Sequence, residues 1–361
     1  MKCRTRLWLL ICLLLMGIAA LGAGPWQLAA LAARGKNNAS PIGSGPPANA
    51  LAYPLHPASK QTLDISNLFW FILAESAVVF LFVMLALAYN FIKYSAKPGQ
   101  REEPEQIYGN RRVEVAWTLI PALILAVAFG LTVFVMNQVN NPVHAAGKVI
   151  NMDAIGHQWW WEFRFPGYHV VTANEFHIPV NTTVAVHITS ADVIHSFWAP
   201  GLSRQIDATP NIGTILYINA DKPGTYPGAC YEFCGAGHAW MQFRVVVNTP
   251  AKFAAWVRHE ASPPAQPTAG PALNGEQEFF SLSCGSCHTI NGTTANGKAA
   301  PNLTHVASRW GIAGGVLPMS PQNLARWVNN PDSYKPGVNM PAFNIGKRNL
   351  DNLAAYLSAL K

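Results

Sequence analysis

The stretch CYEFCGAGHAWM, residues 230–241, places two thiols (Cys230, Cys234), an imidazole (His238) and a thioether (Met241) on one short segment. All four bind soft metals, and their number decides which metal. A structural zinc site closes a tetrahedron of thiolates and imidazoles, in which a thioether is a poor ligand. Mononuclear blue copper takes one cysteine, two histidines and a weak methionine, which leaves a thiolate over. An iron–sulfur cluster takes four cysteines, or a second Cys/His pair, at other spacings. Two copper ions bridged by both thiolates use the whole set, and each then needs one imidazole and one weak ligand. The second imidazole is assigned to His195 in DVIHSFWAP, at the end of a predicted strand. The remaining weak ligand is assigned to the backbone carbonyl of Glu232, between the cysteines. His157, His169, His177 and His187 read as ordinary surface or core residues.

A second chemical group lies further on. CGSCH, residues 284–288, is the attachment pentad of c-type haem. Cys284 and Cys287 add to the two vinyl groups, and His288 becomes the proximal iron ligand. A bare Cys-x-x-Cys would equally suit a redox dithiol; the adjoining imidazole is what selects haem. The sixth iron ligand is expected from a loop ahead of the last helix, since Met/His ligation raises the potential for electron transfer. Met340 in PGVNMPAF sits there, and Met319 in VLPMSPQNL is its rival.

The elements that must position these groups can be read from composition and pattern. The chain has 361 residues, enough for several domains, with 50% hydrophobic and only 12% charged residues. That balance suits a protein part in and part out of a membrane. Its net charge of +7 is scattered rather than gathered into a basic stripe, so no nucleic-acid partner is expected. Residues 1–24 pair Lys2, Arg4 and Arg6 with a short apolar run and a small-residue exit, the pattern of a signal peptide. Residues 25–64 read as a linker. Two longer apolar segments, about 67–92 and 113–136 within residues 65–140, are each long enough to cross a bilayer as a helix. Lys93, Lys97, Arg101, Arg111 and Arg112 lie between them, which puts that loop in the cytoplasm and everything after residue 140 outside it. Residues 141–249 break into short alternating stretches separated by turn residues, the texture of a β-sandwich or barrel. Residues 250–270 hold a short helical piece that runs into a Pro/Ala linker. Residues 271–361 show helical periodicity and form a small α-helical domain.

Read together, the HSFW and CYEFCGAGHAWM motifs behind a two-helix hairpin resemble subunit II of cytochrome c oxidase. The resemblance covers roughly residues 60–249. It implies a cupredoxin-like β-sandwich holding the dinuclear copper A centre. No ligand of that centre is missing, unlike in the quinol-oxidising relatives. It also implies that the Glu232 side chain reaches a magnesium ion at the border with subunit I. Trp159, in GHQWWWEF, matches the family's aromatic residue that admits electrons, and Glu114, in VEVAWTLIP, the carboxylate at the mouth of a proton path. A carboxylate there also suits a helix start, and three successive tryptophans also suit alternate core and interface positions. The tail is similar to a class I cytochrome c, with APNL (300–303) matching the loop beside the proximal histidine, and its fusion to subunit II is a known bacterial arrangement.

The implied protein is a multidomain membrane subunit of the bacterial cell membrane, with its copper and haem domains on the periplasmic side. It takes electrons from cytochrome c and hands them to subunit I, where oxygen is reduced with proton translocation; subunit III is a further expected partner. Residues 271–361 hold seven Lys/Arg against four Asp/Glu, and residues 147–249 five against seven. Opposite charge and a tether predict that the tail docks over Trp159. Two other readings are a copper chaperone, which would have no use for His238, Met241 or a haem, and a nitrogen-oxide reductase subunit that uses the same copper centre.

Overall fold

The computed structural model describes residues 56–95, 99, 106, 108–140 and 149–361, so the expected signal peptide and most of the linker after it lie outside the described residues. Two long helices come first, α1 (Lys60–Lys93) and α2 (Arg111–Asn140), each long and apolar enough to cross a membrane. Their large apolar side chains stay exposed, among them Phe82 at 72% and Phe129 at 70%, a surface that suits lipid or neighbouring membrane helices rather than water.

Helix α1 begins at Lys60 rather than near residue 67, because polar chemistry starts it. The Ser59 hydroxyl accepts from the Thr62 N–H at 3.1 Å, as an N-cap does, and Lys60 pairs with Asp64 at 3.0 Å one turn on. This first turn also ties to the domain that follows: Thr62 Oγ1 donates to the Gly201 carbonyl at 3.0 Å, and Ser59 bridges to Ala220. Helix α2 runs on to Asn140, and its Val139 carbonyl accepts from Gln61 Nε2 at 3.3 Å.

Ten strands follow: β1 (Ile150–His157), β2 (Trp160–Phe165), β3 (Val170–Ala173), β4 (Glu175–Pro179), β5 (Val184–Ser190), β6 (His195–Trp198), β7 (Ile206–Ala208), β8 (Thr214–Ile218), β9 (Gly224–Cys230) and β10 (Gln242–Asn248). They form two five-stranded sheets, ordered β3-β2-β1-β5-β8 and β4-β10-β9-β6-β7. Alternation decides which face is buried. In β10, Phe243, Val245 and Val247 point inward while their neighbours stay half-exposed. The inner faces meet in an aromatic cluster in which Trp161 lies edge-on to Phe197 and Phe243, with Phe163 and Phe176 beside them.

Helix α3 (Pro250–Ala261), capped by the Thr249 side chain on the Lys252 N–H, packs Phe253 and Val257 into this same core and stacks Trp256 on His177. The helical piece after the sandwich is thus part of its wall. The tail then builds α4 (Gly270–Ser281), α5 (Pro321–Asn329) and α6 (Lys347–Ala359) around a separate core that includes Phe279, Leu324, Leu353 and Tyr356. Helices α4 and α6 cross tightly at Gly275, where an added Cβ would sit 2.0 Å from the Asn352 carbonyl.

Candidate metal centre and haem site

Three strand ends of one sheet bring the donors together. His195 opens β6, Cys230 closes β9 and Met241 stands just ahead of β10. The ladders fix their register: Phe197 faces Cys230 across β6–β9, and the Cys230 N–H donates to the Met241 carbonyl at 2.9 Å. The segment between, closed by a 3₁₀ turn at His238–Trp240, returns Cys234 and His238 to the same spot.

There, Cys230 Sγ lies 3.8 Å from Cys234 Sγ, 3.8 Å from His195 Nδ1 and 3.2 Å from the Glu232 carbonyl. Cys234 Sγ lies 3.6 Å from His238 Nδ1 and 3.8 Å from Met241 Sδ. Both thiols are free, and their separation is far too long for a disulfide at about 2.05 Å. It does suit two sulfurs that share ions bound at about 2.3 Å from each. All six donors expected from the sequence therefore converge, and the two thiols with His195 are buried.

Electrostatics make the same point. The Cys234 hydrogen bond, together with His195, holds the Cys230 thiol down to about 4, and Cys234 is pushed up in turn. One thiolate forms at the expense of the other, a conflict that cations between them would remove. His195 is aimed by a residue the sequence reading missed. Asp192 Oδ1 lies 2.7 Å from His195 Nε2, which leaves Nδ1 facing Cys230. Burial raises the Asp192 pKa, but the His195 hydrogen bond and the Gln158 and Val193 N–H groups outweigh it and hold the carboxyl low.

The three tryptophans separate. Trp161 is core, and Trp160 is half-buried and stacked on His157 at 4.3 Å. Trp159 lies against the metal loop, its Nε1 donating to the Cys234 carbonyl at 2.9 Å beside Gln158 Nε2 at 2.8 Å. Its ring lies so close to Gly237 that an added Cβ would come within 2.5 Å of it. The Glu232 side chain points to solvent while its carbonyl faces Cys230, and the flanking Phe233 is 77% exposed. Glu114 accepts from the Asn110 N–H at 3.0 Å, a bond that braces the start of α2.

In the tail, Cys284, Cys287 and His288 share one turn: the Cys287 and His288 N–H groups both donate to the Cys284 carbonyl, at 3.2 and 3.0 Å. Cys287 is exposed, and burial lifts the half-buried Cys284 thiol to about 11. His288 Nδ1 lies 2.7 Å from the Pro301 carbonyl, so the proton belongs on Nδ1 and the lone pair on Nε2 is left for a metal. Burial lowers the His288 pKa, which favours that neutral form. Met340 and Met319 both pack against the tail core.

Two contacts between tail and sandwich were not legible from motifs. Glu175 Oε2 accepts from Arg244 Nε at 2.7 Å and from the Trp310 N–H of the tail at 3.1 Å, with the Arg244 guanidinium 5.1 Å from the Trp310 ring. Lys335, from the tail, lies buried against the carbonyls of Trp159 and Trp240.

Comparison with known families agrees with this division. Residues 169–249 match the family described as cytochrome c oxidase subunit II, periplasmic domain, and residues 51–134 its transmembrane domain. Residues 272–361 match the cytochrome c family. Cytochrome c oxidase subunit 2 of Alkalihalophilus pseudofirmus is 34% identical over 290 residues, covering 79% of this chain and 83% of the relative. The same subunit of Bacillus sp. (strain PS3) is 30% identical, covering 73% and 79%. Quinol oxidase subunit 2 of Bacillus cereus is 28% identical over a shorter stretch, 58% of this chain and 72% of the relative.

Proposed function

The chain belongs to the cytochrome c oxidase subunit II family, and we propose that it receives electrons from cytochrome c for a bacterial respiratory oxidase. It is a subunit of an oxidoreductase complex, and its family matches imply copper A in the sandwich and haem in the tail. The observation that carries the finer reading is the convergence of six donors around two sulfurs 3.8 Å apart. Cys230, Cys234, His195, His238, Met241 and the Glu232 carbonyl would together hold the copper pair. Bound there, the coppers and the haem iron supply one-electron transfer.

The protein's own residues prepare for that chemistry. Asp192 holds His195 in the ligating tautomer, Trp159 closes the metal loop from the tail side, and strands β6, β9 and β10 keep water out. Cys284 and Cys287 would anchor the haem through thioethers, and His288 and Met340 would hold its iron. The outward-pointing Glu232 side chain would help to hold magnesium at the border with subunit I, and the exposed Phe233 beside it suits a partner surface there. Glu114 stands at the mouth of the proton path. Subunit I receives the electrons and subunit III completes the partners, with the sandwich and tail on the periplasmic side of the cell membrane.

Metal analysis and EPR of the purified full chain test this. Two coppers per chain with a mixed-valence signal are expected, and haem should stay attached on a denaturing gel. A single copper, or zinc, would overturn the centre; haem lost on denaturation would overturn the thioethers.

A further inference from the structure

Lys335 is a buried lysine, 3% exposed, in a place where no carboxylate lies within ion-pair distance among the described residues. Lysine is almost never buried so fully without a partner that compensates it. Its partners are three carbonyls: Trp159 at 2.5 Å, Trp240 at 3.2 Å and Ala313 at 3.3 Å. Burial pulls the Lys335 pKa down to about 7; in its protonated form the amine has three N–H donors, and these three acceptors can use them all. Two of the carbonyls belong to the metal domain and one to the tail. The two on the metal domain are not arbitrary either. Trp159 also bonds the Cys234 carbonyl, and Trp240 immediately precedes Met241.

The segment that carries Lys335 is braced from within. Asn330 Oδ1 accepts from the Ser333 N–H at 3.3 Å, Asp332 Oδ1 from the Gly337 N–H at 2.7 Å, and the Lys335 N–H donates to the Pro331 carbonyl at 3.0 Å. Gly337, at φ +82°, lies so close to the metal domain that an added Cβ would be 3.1 Å from Ala236 and 3.4 Å from the Trp159 ring. Met340 follows three residues later on the same segment.

We propose that Lys335 is a positioning residue, a latch whose ammonium pins the Met340 segment of the tail onto Trp159 and fixes the tail on the metal domain. This rests on the reading of the two domains as consecutive electron carriers, and it replaces a mobile charged tether with a set, desolvated dock. Three carbonyl bonds out of water are little weakened by salt, whereas attraction between a positive tail and a negative sandwich would be screened.

The test uses the assembled oxidase with the full chain, as wild type and as Lys335→Met, which keeps the stem and removes the donors. Hydrogen exchange is read over residues 158–161 and 331–340, together with the haem-to-copper transfer rate after photoinjection of an electron. In the wild type, protection and rate should stay level from about 0.05 to about 0.5 M salt. In Lys335→Met, exchange at both segments should rise about tenfold to a hundredfold with the haem and copper spectra unchanged, and transfer should slow and become salt-sensitive. A variant with intact spectra, wild-type protection and wild-type transfer would overturn the latch. Should the variant not assemble, the wild type decides alone, and loss of protection in salt overturns the proposal. A wild type with no haem-to-copper transfer at any salt would instead sink the reading of the domains as carriers.

Discussion

Two thiols 3.8 Å apart, one held low and the other pushed up, each with an imidazole at hand, form a site that cations suit. Substituting Cys234→Ser should remove the shared bridge, and copper analysis should then find fewer than two ions with the mixed-valence EPR signal gone. Asp192 acts one layer out, on His195 Nε2. Asp192→Asn should lower copper affinity by about 10- to 100-fold in a chelator competition, since a partner that fixes a ligating histidine contributes on that scale. An unchanged affinity would mean that β6 alone orients the ring. For the haem iron, Met340→Leu should abolish the far-red methionine–iron band while Met319→Leu keeps it; the reverse result would move the ligand to Met319. At this scale the donors were legible because soft atoms crowd one stretch of sequence and have few uses together. Asp192 and Lys335 were not, because a common charged residue betrays its role only through what it faces after folding.

Elements were legible where periodicity carried them and not where local polar contacts did. The apolar runs announced α1 and α2, but the first turn of α1 depends on Ser59 capping Thr62 and on the Lys60–Asp64 pair, which no hydropathy pattern contains. The alternation of β10 gave a strand, yet its pairing with β9 on one side and β4 on the other is non-local. The α4–α6 crossing at Gly275 is of the same kind. A side chain there meets backbone rather than a movable neighbour. Gly275→Ala should therefore cost about 1–3 kcal/mol, as overpacking does, and appear as a lower melting temperature of the tail's haem absorbance. A variant that melts with the wild type would show that α4 can shift without cost.

At the scale of the molecule, Glu175 joins the sandwich to the tail through Arg244 and the Trp310 N–H. Burial raises its pKa, but the His177 hydrogen bond, Arg244 and the Trp310 N–H more than offset this, and the carboxyl sits below its ordinary 4.5. His177 and Arg244 belong to the sandwich, so only the part of the depression due to the Trp310 N–H stabilises the joined state, fully above the ordinary value and lost as pH falls through the lower one. Limited proteolysis within residues 263–269 should accordingly stay slow at neutral pH and quicken on acidification through that range, and Glu175→Gln should flatten the dependence. Cleavage equally fast at every pH would remove Glu175 from the contact.

Trp159, 8% exposed, lies between the metal loop and Gly337 of the tail. If Trp159 is the electron port proposed above, a port roofed by its own chain would be no landing place for strangers. On the proposed route, a protein that brings electrons would meet the outer face of the tail, so that recognition and delivery would occupy different surfaces and the final hand-over would be indifferent to dilution. In a stopped-flow mix with soluble cytochrome, the tail haem should be reduced before the copper centre at every donor concentration; copper leading the haem would mean that the roof opens.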